Sequence, residues 1–147
     1  MKPILTLILL ALSIGAHATD TAQNELTPEA RQTASLSAME MAFCSGVIEV
    51  FASAPGGTDA DYTMVMGHSR GYYMAANTIF QILSTDLEKA KFASDNRKGT
   101  GLDWAKSLDL SDNLESQLLV NRVFKCFESQ PMVADIVQNR LAQLYAE

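Results

Sequence analysis

From Leu36 to Phe51, large apolar residues return every three or four positions, at Leu36, Met39, Phe43, Val47, Val50 and Phe51. That recurrence is the period of an amphipathic helix; a half-buried strand needs alternation at every second residue. The same period returns in a stripe of Tyr62, Val65, Met66, Tyr73, Ala76, Phe80 and Leu83. It returns again at Val133, Ile136, Val137, Leu141, Leu144 and Tyr145. No stretch sustains strand alternation, so the chain is confined to all-α architectures.

Caps and breakers divide these stripes. Thr27-Pro28-Glu29 predicts a helix start, with Thr as N-cap, Pro where its missing N–H is harmless, and an acid near the positive end of the dipole. This helix is expected to run to about Ala52. Pro, two Gly and capping Asp residues in "SAPGGTDAD" (53–61) then break the chain. A second helix is expected from about Asp61. Its pattern leaves open whether it runs on or restarts at Ser84-Thr85-Asp86, and fraying is expected across "SDNRKGTG" (94–101). Leu102 to Leu108 predicts a short helical turn around Trp104. Ser111 is placed as the cap of a helix reaching about Glu128, and Pro131 as the opening of the last helix. The expected fold class is an all-α bundle of four to five helices over residues 27–147.

Residues 1–18, "MKPILTLILLALSIGAHA", have another character. Lys2 precedes an apolar run from Ile4 to Ile14, and Ala16-His17-Ala18 has the small-x-small form that signal peptidase cuts. The pattern is that of a secretory signal peptide. The run is about half of the ~20 apolar residues that span a bilayer. No Cys follows the cut to carry a lipid, and no later stretch is expected to span a membrane. Residues 19–26 are expected to be a flexible lead-in to the helical domain, in the periplasm or outside the cell. Cleavage takes one of 11 basic residues and none of the 17 acidic ones, leaving 10 against 17, a net charge of −7. Such a surface disfavours nucleic acid and anionic membrane. Lys89, Lys91, Arg97 and Lys98, interleaved with Glu88 and Asp95, read as a solvated helix end and loop.

Cys44 and Cys126 are the only cysteines. In an oxidising compartment one pair most simply forms one disulfide. A metal site and a reactive thiol are the alternatives. A structural zinc needs several ligands in close pairs; there is no C-x-x-C, and only His68 remains after cleavage.

"VMGHSRGYY" (65–73) contains Gly67-His68-Ser69-Arg70-Gly71, a G-x-S-x-G match. In α/β-hydrolases that pentapeptide is the nucleophile elbow, a strand–turn–helix device that exposes the serine. Here it lies inside a helical period, at the centre of the stripe of Tyr62, Val65, Met66, Tyr73 and Ala76. Ser69 is therefore expected to face the core, its hydroxyl on the carbonyl one turn back. A triad needs a histidine base from elsewhere in the chain. His17 leaves with residues 1–18, and His68 adjoins the serine and points to another side. A serine hydrolase is disfavoured.

The glycines suggest a different role. Gly inside a helix costs about 1 kcal/mol against Ala, yet Gly67, Gly71 and Ala75 recur every fourth residue. Ala30, Ala34, Ala38, Ala42 and Gly46 do the same in the first helix. Small residues along such rows let two helices approach closely. The pattern predicts that helix two packs on helix one through these ridges, and that Gly71→Leu overpacks the contact.

Met39-Glu40-Met41 and Met64-Val65-Met66 are M-x-M pairs, and thioethers suit Cu(I). Residues two apart on a helix point to nearly opposite sides, so neither pair chelates while helical. Met64 and His68 share a face but make only a pair. No cofactor or metal is expected. Asp59, Asp61, Asp109 and Asp112 sit at expected helix starts, where acids cap amides and complement the dipole. Of Tyr72 and Tyr73, one is expected buried and one partly exposed.

"FCSGVIEVF" (43–51) places C-x-G in an amphipathic helix. "VFKCFESQPMVADIVQNRL" (123–141) places C-x4-P at a helix–helix junction. This arrangement resembles small secreted helical proteins of Gram-negative bacteria, among them the HdeA-like acid-stress chaperones and the Tai-type immunity proteins of type VI secretion. The chain is longer than HdeA-like proteins and lacks the extra cysteine pair of many Tai-type ones. The resemblance implies a Cys44–Cys126 bridge, function by protein binding without catalysis, and a protein partner of unknown identity. It implies no particular binding residues. Three classes of activity follow as expectations. The first is a non-enzymatic periplasmic binding protein of immunity or inhibitor type. The alternatives are an acid-stress periplasmic chaperone, and a small-ligand or copper carrier with a closed pocket of convergent polar groups.

Overall fold

Side chains fix where the helices begin. The structure, a computed structural model, describes residues 26–84 and 86–144. Helix α1 (Pro28–Ala52) starts where the sequence places it, with the Thr27 hydroxyl accepting from the Ala30 amide at 3.2 Å. Helix α2 (Asp59–Leu83) begins two residues before Asp61, because Thr58 and Asp61 cap each other. The Asp61 amide donates to the Thr58 hydroxyl at 3.2 Å, and the Thr58 amide to the Asp61 carboxylate at 3.0 Å, a capping box that satisfies two free amides. Between these helices Gly56 has φ +103°, a left-handed turn that side chains resist.

Asp86 caps α3 (Leu87–Lys106). Asp112, one residue beyond Ser111, caps α4 (Asn113–Phe127) by accepting from the amides of Leu114 and Glu115. Ser111 instead donates its hydroxyl to Asp109 at 2.6 Å. Helix α5 (Gln130–Leu144) follows, with Pro131 in its first turn. No strand occurs among the described residues. The described residues form an all-α bundle of five helices, tied by a Cys44–Cys126 disulfide with Cα atoms 5.6 Å apart. The signal peptide read at 1–18, the lead-in up to residue 25 and Tyr145 lie outside the described residues.

The largest departure from expectation is α3. Residues 94–101 do not fray; they are helical throughout, and Leu102–Lys106 continues the same helix. Local propensity argues for fraying, since Gly99 and Gly101 each weaken a helix. Packing overrides it. A Cβ on Gly101 would stand 2.1 Å from the Phe43 carbonyl oxygen, and one on Gly46 would stand 2.2 Å from the Lys98 oxygen and 2.6 Å from the Leu102 nitrogen. Helices α1 and α3 meet backbone to backbone, an approach that glycine alone permits.

That crossing corrects the ridge expected between α1 and α2. Ala34, Ala38, Ala42 and Gly46 are buried as a row on α1, and Ala75 is buried on α2. Gly46, however, serves the contact with α3. A Cβ on Gly67 would meet nothing within 4 Å, and one on Gly71 would meet Val133 of α5 at an ordinary 3.8 Å. A step of four residues drifts about 40° around a helix of 3.6 residues per turn. Following the row back from buried Ala75, Gly71 turns to α5 and Gly67 to solvent. Gly71→Leu thus confronts Val133 and not α1.

Helix α1 is the common wall of the bundle. It packs on α2, α3 and α4, while α5 lies on α2. The larger apolar cluster joins Met41, Ile48, Tyr72 and Ile79 to Val133 and Ile136 of α5 and to the disulfide. A smaller one gathers Val47, Ala105, Leu119 and Val123. Burying an aliphatic side chain of this size contributes about 1.5–3 kcal/mol. By length and composition α1 is also apolar enough to cross a membrane, which corrects the expectation that no stretch after residue 18 would be. Of its most apolar stretch, 50% is buried by neighbouring helices, and α1 carries Glu40 and Glu49 in ion pairs.

Candidate functional site

The G-x-S-x-G motif lies wholly within α2, with no strand or turn at the serine. Ser69 is 1% exposed. Its hydroxyl donates to the Ser45 carbonyl at 2.9 Å and lies 3.2 Å from the Ser45 hydroxyl. The inward orientation agrees with the helical period; the acceptor is on α1, not one turn back. Two small hydroxyl residues thus make the close polar contact between α1 and α2. His68 faces the α4–α5 junction, with Nδ1 3.3 Å from Gln130 Nε2 and the ring edge-on to Phe127 at 5.3 Å.

Met41 is buried while Met39 is exposed, and Met64 is exposed while Met66 is half-buried. Each M-x-M pair is therefore split between two environments. Among the described residues, no group of three or more His, Cys, Asp or Glu converges as a metal site.

The basic cluster is not a loop. Lys98 ties α3 to α1 through Glu49 at 2.6 Å. Arg122 of α4 reaches Glu40 of α1 at 2.5 Å. The guanidinium carbons of Arg97 and Arg122 lie 5.3 and 4.8 Å from the Phe43 ring centroid, where the electron-rich ring face attracts cations. Arg97 Nε is buried without a hydrogen-bond acceptor, and the ring is the electron-rich surface beside this guanidinium. Phe43 thus anchors both α3 and α4 to α1.

Tyr72 is fully buried and donates to the Cys126 carbonyl, which Ser129 also reaches at 2.8 Å. Tyr73, one residue on, is only partly buried and donates to Asp95 at 2.6 Å. Burial, then the bond to the Asp95 carboxylate and its charge, push the Tyr73 phenol up to about 12. An unfolded tyrosine ionises near pH ~10. The raised value therefore favours the fold fully below pH ~10, and this contribution is lost as pH climbs towards 12. Tyr73→Phe is expected to flatten the alkaline limb of a stability–pH curve measured by urea unfolding. An unchanged limb counts against the Tyr73–Asp95 bond.

Two surface clefts share a floor of Phe51, Ala54 and Pro55, where α1 ends. One, of 240 Å3, is closed on its far side by Asp61, Tyr62 and Val65 of α2. The other, of 530 Å3, runs to Leu110, Ser116, Leu119 and Val120 at the start of α4. Beside it, α4 presents an outer face on which Leu114, Leu118 and Phe124 are 72, 54 and 67% exposed. Exposure of three such side chains is unusual for a helix that already packs an inner face, and large exposed apolar patches mark interaction surfaces. These residues were not singled out from the sequence. The available signal was that "LESQLLVNRVFKCF" (114–127) is apolar on nearly every side, which marks a helix with neighbours on two faces. Comparison of the chain with protein-family models, with curated proteins and with solved structures returns no match.

Proposed function

We propose that this protein is a non-enzymatic binding protein of the periplasm or cell exterior, of immunity or inhibitor type. Its partner is a protein received in the clefts around Phe51, Ala54 and Pro55. The observation that carries this reading is the pair of apolar clefts on one floor, since protein partners anchor on apolar side chains seated in pockets. Nucleic acid and membrane are not the partners proposed, given the net charge of −6 on the full chain. The test is capture from periplasmic extract by the wild type and by an Ala54→Glu/Pro55→Glu variant, which puts charge on the shared floor. One dominant partner at neutral pH, lost in the variant while melting is unchanged, is the expected result. No partner, or equal capture by both, overturns the reading.

An acid-stress chaperone is a second reading with its own observation. Asp61 is held below the usual carboxylate range by the Thr58 hydroxyl, Asp86 by the Lys89 amide, and Asp109 by the Ser111 hydroxyl. Groups with lowered values stabilise the fold above their unfolded pKa, near ~3.9, and that contribution is lost as pH falls below it. The starts of α2 and α3, and the loop before α4, are thus loosened by acid. The same capture at acid pH separates the readings: many weakly held clients there, and none at neutral pH, favour the chaperone.

A further inference from the structure

The exposed side of α4 is not an unordered apolar patch. Leu114, Gln117, Leu118, Asn121, Phe124 and Lys125 are all exposed; Leu114, Gln117, Asn121 and Phe124 step by three, four and three residues, the spacing of a two-helix seam, with Leu118 and Lys125 flanking it. Read as such a seam, Leu114 and Asn121 occupy one core position, and Gln117 and Phe124 the other. Antiparallel pairing of the seam with itself then brings unlike positions together in every layer. Leu114 faces Phe124 of the second copy, Gln117 faces Asn121, and Leu118 of each copy meets the other beside the two-fold axis.

We infer that α4 pairs with α4 of a second copy of this chain, antiparallel and about a two-fold axis near Leu118. Three features on the helix support a second copy over an unrelated occupant. Leu114 and Phe124 lie at the two ends of the seam with Leu118 flanking its middle, and the two amides, Gln117 and Asn121, lie between the ends and hydrogen-bond across it. Polar residues at seam positions fix register and orientation. Charge is complementary under the same rotation. The turn before the helix and its first residues are acidic, with Asp109, Asp112 and Glu115, and the rotation brings Lys125, near the helix end, to this acidic start of the other copy. Antiparallel helices also set opposite dipole ends together. Arg122, the other base of α4, points inward to Glu40 and takes no part. Glu128, the C-cap just past the helix, is open to water.

A self-pairing surface is isologous, the commonest route to a dimer. A single helix ridge is small beside the ~800 Å2 per partner of stable complexes, so the dimer is weak and dissociates on dilution. The seam is on α4 and the shared cleft floor is on the α1–α2 turn, so this inference does not depend on the partner proposed above.

Sedimentation or light scattering across a concentration series is the test. The wild type is expected to pass from the mass of one chain to that of two as concentration rises. Leu118→Glu, which sets two carboxylates together at the axis, is expected to remain single throughout with unchanged circular dichroism and melting. Symmetry is read separately with Leu118→Cys. Under mild oxidation this variant is expected to cross-link to itself at least tenfold faster than Leu36→Cys, an exposed site on α1. A wild type that keeps the mass of one chain at every concentration overturns the inference. So does a Leu118→Cys rate equal to the Leu36→Cys rate, and so does a Leu118→Glu variant that still doubles its mass. The Ala54→Glu/Pro55→Glu variant dimerises like wild type if the seam is right, whatever its capture of other proteins.

Discussion

Gly46→Ala and Gly101→Ala are each expected to destabilise the fold by roughly 3 kcal/mol or more, at or beyond the upper end of ordinary overpacking. In a domain of this size that is a fall in Tm of about ten degrees or more. The added methyl would stand 2.2 Å from Lys98 O at Gly46 and 2.1 Å from Phe43 O at Gly101. Both obstacles are backbone atoms inside helices, so neither can swing aside as a side-chain tip does. Relief requires α1 and α3 to separate, which also pulls Lys98 from Glu49 and Arg97 from Phe43. Gly67→Ala is the matched control. Its methyl meets nothing within 4 Å, and Ala gains about 1 kcal/mol of helix propensity over Gly. Thermal melts of the three variants decide the matter. If Gly46→Ala and Gly101→Ala melt like Gly67→Ala, the backbone contact between α1 and α3 is wrong.

Loss of the disulfide is the second large effect. In the loop-entropy view, a bridge across 82 residues of sequence stabilises by about 4–5 kcal/mol. That is a large part of the ~5–15 kcal/mol available to a natural domain. The bridge holds α4 beside α1, where the remaining ties are the Arg122–Glu40 pair, the stack on Phe43, and Leu119 and Val123 against Val47. A Cys44→Ala/Cys126→Ala variant is expected to unfold at markedly lower denaturant, with α4 the first helix to lose amide-exchange protection. Alanine is the chosen replacement because both sulfurs are buried, where serine would add an unpaired hydroxyl. A variant within 1 kcal/mol of wild type would show that side-chain packing alone holds α4.

Helix boundaries were legible wherever a cap carried them. Thr27-Pro28 marks α1 to the residue, and the one- and two-residue shifts at Asp112 and Thr58 arise because neighbouring Ser, Thr and Asp are interchangeable as caps. The compositional break at 94–101 misled, because propensity counts the cost of Gly101 and cannot see the Phe43 carbonyl that requires it. The glycine rows were legible as small surfaces but not as partners. Which helix a row faces depends on its azimuth, and a drift of about 40° per step carries the row from exposed Gly67 to Gly71, against α5, and to buried Ala75. The same slip affects the α2 stripe. Its inner line runs through Ser69, Tyr72, Ala76 and Ile79, not through Tyr62 and Tyr73. Ser69 was legible as inward, since it lies on both lines. The clefts were not, because Phe51, Pro55, Leu110 and Val120 come from three separate segments and no local pattern joins them.

The bridge between Cys44 and Cys126 encloses α2, α3 and every connection between them in one covalent ring. The exposed turn at 55–58 is the natural place for a protease to cut. A cut there opens the ring but releases no fragment, and the ends stay docked on either side of the α1–α2 contact. A nicked chain therefore stays one covalently joined molecule until a reductant opens the bridge.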